Sequence, residues 1–165
     1  MDPSCFQHPL RFPLNVNGPF YTTGQLTGHH VDPNTPRRWC GNCLWCGAPE
    51  AEAPTLFAPF DETYKDTYFI RQPETGEEIN QAVNAARVCC TYAVRYGGKD
   101  PEIIRKLDNN PEYCDFVLMK NGELHCTVDE VGELLPFAKQ LIRQNRIGLR
   151  QAFARLLRRI WPFRT

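Results

Sequence analysis

The chain has 165 residues, of which 42% are hydrophobic, and it carries 19 basic and 19 acidic side chains. This length and composition predict one soluble domain with added segments. No apolar run approaches the roughly 18 residues of a membrane-spanning helix, and the N-terminus lacks the basic and apolar regions of a secretory signal. We therefore expect a cytoplasmic protein, whose eight cysteines serve as metal ligands or free thiols rather than disulfides.

The net charge of zero hides an uneven distribution. Residues 136–165 contain eight basic residues and no acidic ones, which leaves 11 basic and all 19 acidic residues to the rest of the chain. An acidic body with a basic C-terminal tail is typical of a protein with two differently charged surfaces. We expect no nucleic-acid partner, because no known module is recognisable and the body is acidic.

Residues 1–37 are rich in proline and lack a regular apolar period, which predicts an extended lead-in segment. A core at 38–110 follows, in which residues 64–71 are typical of a strand. Thr75 and Glu78 form a capping box that predicts the start of a helix, and Cys89 and Cys90 are expected at its C-terminal end, facing the core. The apolar face of this helix consists of Ile79, Ala82, Val83 and Ala86.

The second half of the chain contains further local signals. A short strand is predicted at 93–96, and Asp100 followed by Pro101 predicts the start of a helix. A β-hairpin extension is predicted at 111–130, where two β-rich runs flank Asn121 and Gly122, a pair typical of a type I′ turn. Two further cysteines on this hairpin are expected to pack as small apolar residues, namely Cys114 and Cys126.

Residues 131–165 predict a basic amphipathic helical tail with an interruption near Gly148. The apolar stripe of such a helix either packs on its own domain or lies against a membrane surface or an acidic partner. Both alternatives remain open at this point. The apolar stripe consists of Leu149, Phe153, Leu156, Leu157 and Ile160.

Three cysteines within seven residues are the most informative motif. Cys40, Cys43 and Cys46 lie at i, i+3 and i+6, so a tight loop can turn all three sulfur atoms toward one centre. This pattern favours a metal or iron–sulfur loop, for which Cys89 is the best fourth ligand and Cys90 its substitute. Buried thiols and a thiol oxidoreductase pair are the alternatives, although the latter would need a helix that opens at the first cysteine.

The sequence from Cys43 to Phe57, CLWCGAPEAEAPTLF, resembles the cluster loop of small single-cluster bacterial ferredoxins. In that family Cys-x-x-Cys-x-x-Cys is followed by Ala-Pro-x-x-Phe or Cys-Pro. Residues 86–94 resemble the second cysteine segment, with Cys90 in place of its proline. The resemblance covers residues 38–98. It implies an α+β fold with a ferredoxin-like core, a [4Fe–4S] cluster and one-electron transfer to a protein redox partner, without enzymatic activity of its own.

Two registers of this resemblance remain open. Aligning the Ala-Pro-x-x-Phe segment puts one ligand position at Pro49, which cannot bind iron. That register implies a degenerate ferredoxin fold acting as a binding or adaptor protein, either free of a cluster or bound to zinc. The other register keeps three evenly spaced cysteines, which suit a cubane better than zinc. It implies four cluster ligands, which are Cys40, Cys43, Cys46 and Cys89.

Overall fold

The computed structural model describes residues 8–27, 38–44, 46–58 and 66–160. These residues form helices and three two-stranded antiparallel sheets, so the α+β class is confirmed. The elements in chain order are β1 (Phe20–Thr22), β2 (Gly24–Thr27), β3 (Arg38–Gly41), α1 (Ala48–Glu52), α2 (Gly76–Val88), β4 (Val94–Tyr96), α3 (Pro101–Lys106), β5 (Phe116–Leu118), β6 (Leu124–Cys126) and α4 (Pro136–Ile160).

The proline-rich N-terminal segment contributes two strands to the body. β1 pairs with β4, which places Tyr21 opposite Arg95, and β2 pairs with β3. Phe20 and Tyr21 are fully buried, so the segment supplies part of the core rather than only a covering layer. Its composition does not predict this, because β1 pairs with a strand that is distant in the sequence.

The core is formed where α1 and α2 pack against β1, β4 and α3. The predicted capping box is confirmed, because the Thr75 hydroxyl accepts from the Glu78 amide while the Glu78 carboxylate accepts from the Thr75 amide. Such a cap stabilises a helix by about 1 kcal/mol. The predicted apolar face of α2 is buried at Ala82, Val83 and Ala86.

Two predictions about strands and turns need correction. Of the strand predicted at 64–71, the described part contains only an isolated bridge between Phe57 and Phe69. The predicted hairpin is confirmed as β5 and β6, but its turn is not type I′. The Gly122 amide donates to the Met119 carbonyl at 2.9 Å, and Gly122 has a φ of +85°. A type I′ turn would also require a positive φ at Asn121. Asn121 is not among the described residues that have a positive φ.

A buried ion pair connects β4 to the start of the hairpin, and a hydrogen bond from Tyr21 adds the N-terminal segment to it. The Arg95 guanidinium donates to Oδ1 of Asp115, at 2.9 Å from Nε and 2.8 Å from Nη2, and both side chains are buried. The Tyr21 hydroxyl donates to the other oxygen of this carboxylate. Arg95 also donates to the carbonyls of Pro111 and Glu112. Most of the hydrogen-bonding capacity of the two charged groups is thus satisfied inside the protein, as buried charges require.

The C-terminal helix α4 is continuous through Gly148, so the predicted interruption is wrong. A glycine inside a helix costs about 1 kcal/mol relative to alanine, which a long helix tolerates. Ala138 and Ile142 of the first turns are buried, and Arg146 forms a 2.6 Å ion pair with Glu112. Within the described residues, no helix combines the length and apolarity needed to cross a bilayer.

Candidate thiol site

The cysteine loop, residues 40–47, begins at the end of β3. Cys40 is exposed on this strand. The Gly41 amide donates to Oδ1 of Asp66 at 2.7 Å, and the Asn42 amide donates to the Thr23 carbonyl at 2.9 Å. These two hydrogen bonds fix the first part of the loop to two separate segments of the chain.

The middle of the loop lies against buried polar groups. Cys43 is half-buried against the core, and its Sγ lies 3.1 Å from the hydroxyl of Thr67. The same hydroxyl contacts one carboxylate oxygen of Glu50. The other oxygen, Oε2, is buried and makes no hydrogen bond with the described residues. The single proton of Thr67 can therefore be donated to the Glu50 carboxylate, or to Cys43 when that sulfur is a thiolate.

The second half of the loop is exposed and leads into α1. Leu44 is 71% exposed and Cys46 is also exposed, whereas Trp45 lies outside the described residues. Gly47 has a φ of +70°, a left-handed conformation that glycine adopts without steric cost. Pro49 is buried in the first turn of α1, where a proline is compatible with a helix. Position 49 is thus occupied by a packed helix residue that supplies no ligand.

The C-terminal end of α2 brings the second cysteine pair to the loop. Cys89 is buried in the core, with its Sγ 3.5 Å from Oγ1 of Thr91. Cys90 is exposed rather than facing the core as predicted, and it lies close enough to Cys46 for the two thiols to interact electrostatically. Partial desolvation raises the pKa of Cys90, and the neighbouring Cys46 and Cys89 raise it further.

The four ligands predicted by the resemblance occupy two environments. Cys43 and Cys89 pack on the core, whereas Cys40 and Cys46 are exposed. Among the described residues, which include all four, no three Cys, His, Asp or Glu side chains are grouped so that they could hold a metal ion. The cysteine of the second segment that interacts electrostatically with Cys46 is Cys90, the predicted substitute for Cys89.

The remaining described cysteines behave as packing residues. Cys114 is fully buried, and burial raises the pKa of its thiol to about 12. Cys126 is half-buried, and its thiol lies 3.4 Å from the Val128 carbonyl oxygen. This is the role that the sequence predicts for both.

Sequence reasoning missed Glu50 and Thr67 as neighbours of the loop. Thr67 is buried, and its contact with Cys43 joins two segments that no spacing rule relates. Glu50 follows Pro49 in a stretch that reads as a solvated surface. The sequence signal that touches either residue is that Thr67 lies in the run 64–71, which is typical of a strand.

Comparison with known proteins adds no relative to this geometry. No family model matches the chain, and neither a curated protein nor a solved structure matches it. The resemblance to ferredoxins therefore rests on the cysteine spacing and on the motif that ends at Phe57.

Proposed function

We propose that this protein is a one-electron carrier with a ferredoxin-like core, which binds a [4Fe–4S] cluster through its cysteine loop and the Cys89–Cys90 pair. The observation that carries the proposal is the proximity of Cys90 to both Cys46 and Cys89, each of which raises the pKa of the Cys90 thiol. It joins the two cysteine segments that the ferredoxin resemblance requires to meet at one cluster. Thiolates are the usual protein ligands of such clusters.

The donor chemistry of the site fits this cluster. The loop offers Cys40, Cys43 and Cys46, and the end of α2 offers Cys89 with Cys90 as a substitute. Because Cys40 and Cys46 are exposed, their side chains can turn toward a cluster without unpacking the core. When bound, the cluster would accept and release one electron.

The surroundings of the loop would affect a bound cluster in two ways. The Thr67 hydroxyl can donate a hydrogen bond to the sulfur of Cys43, and hydrogen bonds to ligating sulfur atoms influence the reduction potential. The apolar core beneath Cys43 and Cys89 excludes water from one side of the site. The exposed side, around Leu44, would face a protein redox partner. Electron transfer needs no general acid, base or nucleophile, so we propose no enzymatic activity.

Electron paramagnetic resonance of anaerobically reconstituted protein tests this proposal. We expect a visible absorption band that bleaches on reduction with dithionite, accompanied by a one-electron paramagnetic signal. The Cys46→Ser variant should lose both, whereas Cys126→Ser, which changes a half-buried cysteine outside the site, should keep both. A reconstituted protein without a reducible chromophore would overturn the proposal.

Two observations favour a second candidate, a binding or adaptor protein that is free of a cluster or holds zinc. Pro49 occupies a ligand position in one register, and three thiols do not converge among the described residues. Four thiolates also suit tetrahedral zinc. This candidate predicts no sulfide. It predicts either one zinc ion, with lower stability after cysteine substitution in the loop, or no metal, with unchanged folding after that substitution.

A further inference from the structure

The second half of α4 carries an apolar face that does not pack on the body. Leu149, Phe153 and Leu156 are 71%, 62% and 52% exposed. Ile142 is the last residue of this helix that is buried within its described part. From there to Ile160 the helix continues for about 27 Å, at about 1.5 Å per residue.

These apolar residues continue the same face that packs on the body in the first turns. At about 100° per residue, Leu149, Phe153 and Leu156 fall within an arc of about 60°. The buried residues Ala138 and Ile142 lie in that same arc, nearer the start of the helix. The helix therefore carries apolar residues on one face in two parts, a covered part at Ala138 and Ile142 and an exposed part from Leu149 onward, with Asn145 and Arg146 between them.

The charges around this stripe have one sign. Arg143 and Arg150 are exposed, and both lie to one side of the stripe. No acidic residue occurs anywhere from 136 to 165, where the sequence has eight basic ones. An apolar stripe flanked by basic residues matches the boundary between the headgroups and acyl chains of an anionic bilayer.

This charge pattern also decides between occupants. A second copy of α4 would place two helices of like charge side by side, without acidic residues to pair with the arginines. A nucleic acid would satisfy the arginines but would leave Leu149 and Phe153 in water. An anionic lipid surface satisfies both the charges and the apolar stripe.

We infer that the second half of α4 is an interfacial helix that binds the surface of an anionic lipid membrane. The stripe inserts between the headgroups, and the arginines contact the lipid phosphates. This inference does not depend on the thiol site, so the two proposals can fail separately.

Vesicle flotation with the full-length protein tests the inference. We expect the protein to float with vesicles of phosphatidylglycerol and phosphatidylcholine at low salt, and not with phosphatidylcholine alone. The triple variant Leu149→Gln/Phe153→Gln/Leu156→Gln should bind at least about tenfold more weakly, because it removes the buried apolar area. The matched control Ile147→Gln changes an exposed apolar residue on the opposite side of the helix and should bind like the wild type. Substituting Arg143 and Arg150 with glutamine should weaken binding about fivefold for each residue.

Three results would overturn the inference. The first is full-length protein that does not float with anionic vesicles at low salt, and the second is binding that the triple variant leaves unchanged. The third is a changed solution state of the triple variant without lipid. A lower temperature of cooperative unfolding would show that the stripe packs on the body, and a dimer that the substitutions dissociate would show that a second copy covers it.

Discussion

His8 should make the stability of this protein fall between neutral pH and pH 4. Its side chain is only 5% exposed and packs against the ring of Tyr21, with ring centroids 5.9 Å apart. Its Nδ1 accepts a hydrogen bond from the Leu10 amide at 3.1 Å, which requires the neutral form of the ring at this nitrogen. The pKa of His8 is lowered from 6.5 to about 4, mainly by burial; Asp115 and Asp129 oppose this shift, and Arg95 contributes to it.

The pKa shift sets both the sign and the size of the effect. Below pH 6.5 the unfolded chain binds a proton at His8, whereas the folded protein does not do so until about pH 4. The unfolded state is therefore favoured progressively as the pH falls through this window. At about 1.4 kcal/mol per pKa unit, the full loss is about 3 kcal/mol, which is a large part of the stability of a small domain.

Urea unfolding at a series of pH values between about 7 and 4.5 measures this loss. The His8→Gln variant should show a much flatter dependence of its unfolding free energy on pH. The control His125→Gln changes an exposed histidine and should keep the slope of the wild type. The pKa of Glu78 is lowered to about 2, mainly by its hydrogen bond with Arg71. The contribution of ionised Glu78 to stability is therefore lost only below this pH window. An equal slope in the wild type and in His8→Gln would refute the reasoning.

Three further changes test separate parts of the account. Asp115→Ala should lower the free energy of unfolding by about 3 to 5 kcal/mol, because it leaves the buried charge of Arg95 without its partner, and a loss below about 1 kcal/mol in urea unfolding would contradict this. Thr75→Ala removes the α2 cap and should cost about 1 kcal/mol in the same assay, so an unchanged midpoint would show that the cap is dispensable. Cys89→Ser should reduce the iron content after reconstitution more than Cys90→Ser, because Cys89 is the proposed fourth ligand and Cys90 its substitute; the reverse order would show that Cys90, which lies near Cys46, takes that place.

The features that the sequence predicts correctly depend on neighbouring residues. The Thr75 cap joins residues within one helical turn, and Asp100 likewise caps α3 by accepting from the Glu102 amide at 2.8 Å. The hairpin strands follow from two β-rich runs separated by a short turn. In each case the interacting groups lie within a few residues, so the pattern in the sequence contains the interaction.

The features that the sequence does not predict depend on distant contacts or on helix context. The pairing of β1 with β4 and the ion pair of Arg95 with Asp115 join segments that no local pattern relates. Gly148 predicted an interruption, but the helical residues on both sides outweigh the intrinsic cost of one glycine.

The candidate site shows the same division. The spacing of Cys40, Cys43 and Cys46 predicts a cysteine loop. Only the fold reveals that Cys90 contacts this loop and that Thr67 lies beneath it.

The central claim is that the cysteine loop and the Cys89–Cys90 pair hold an iron–sulfur cluster. The most direct measurement is the content of iron, acid-labile sulfide and zinc in the full-length protein after anaerobic reconstitution. The account predicts about four iron and four sulfide per chain, lost in Cys46→Ser and retained in Cys126→Ser. One zinc ion per chain without sulfide, or a folded protein that retains no metal, would contradict it.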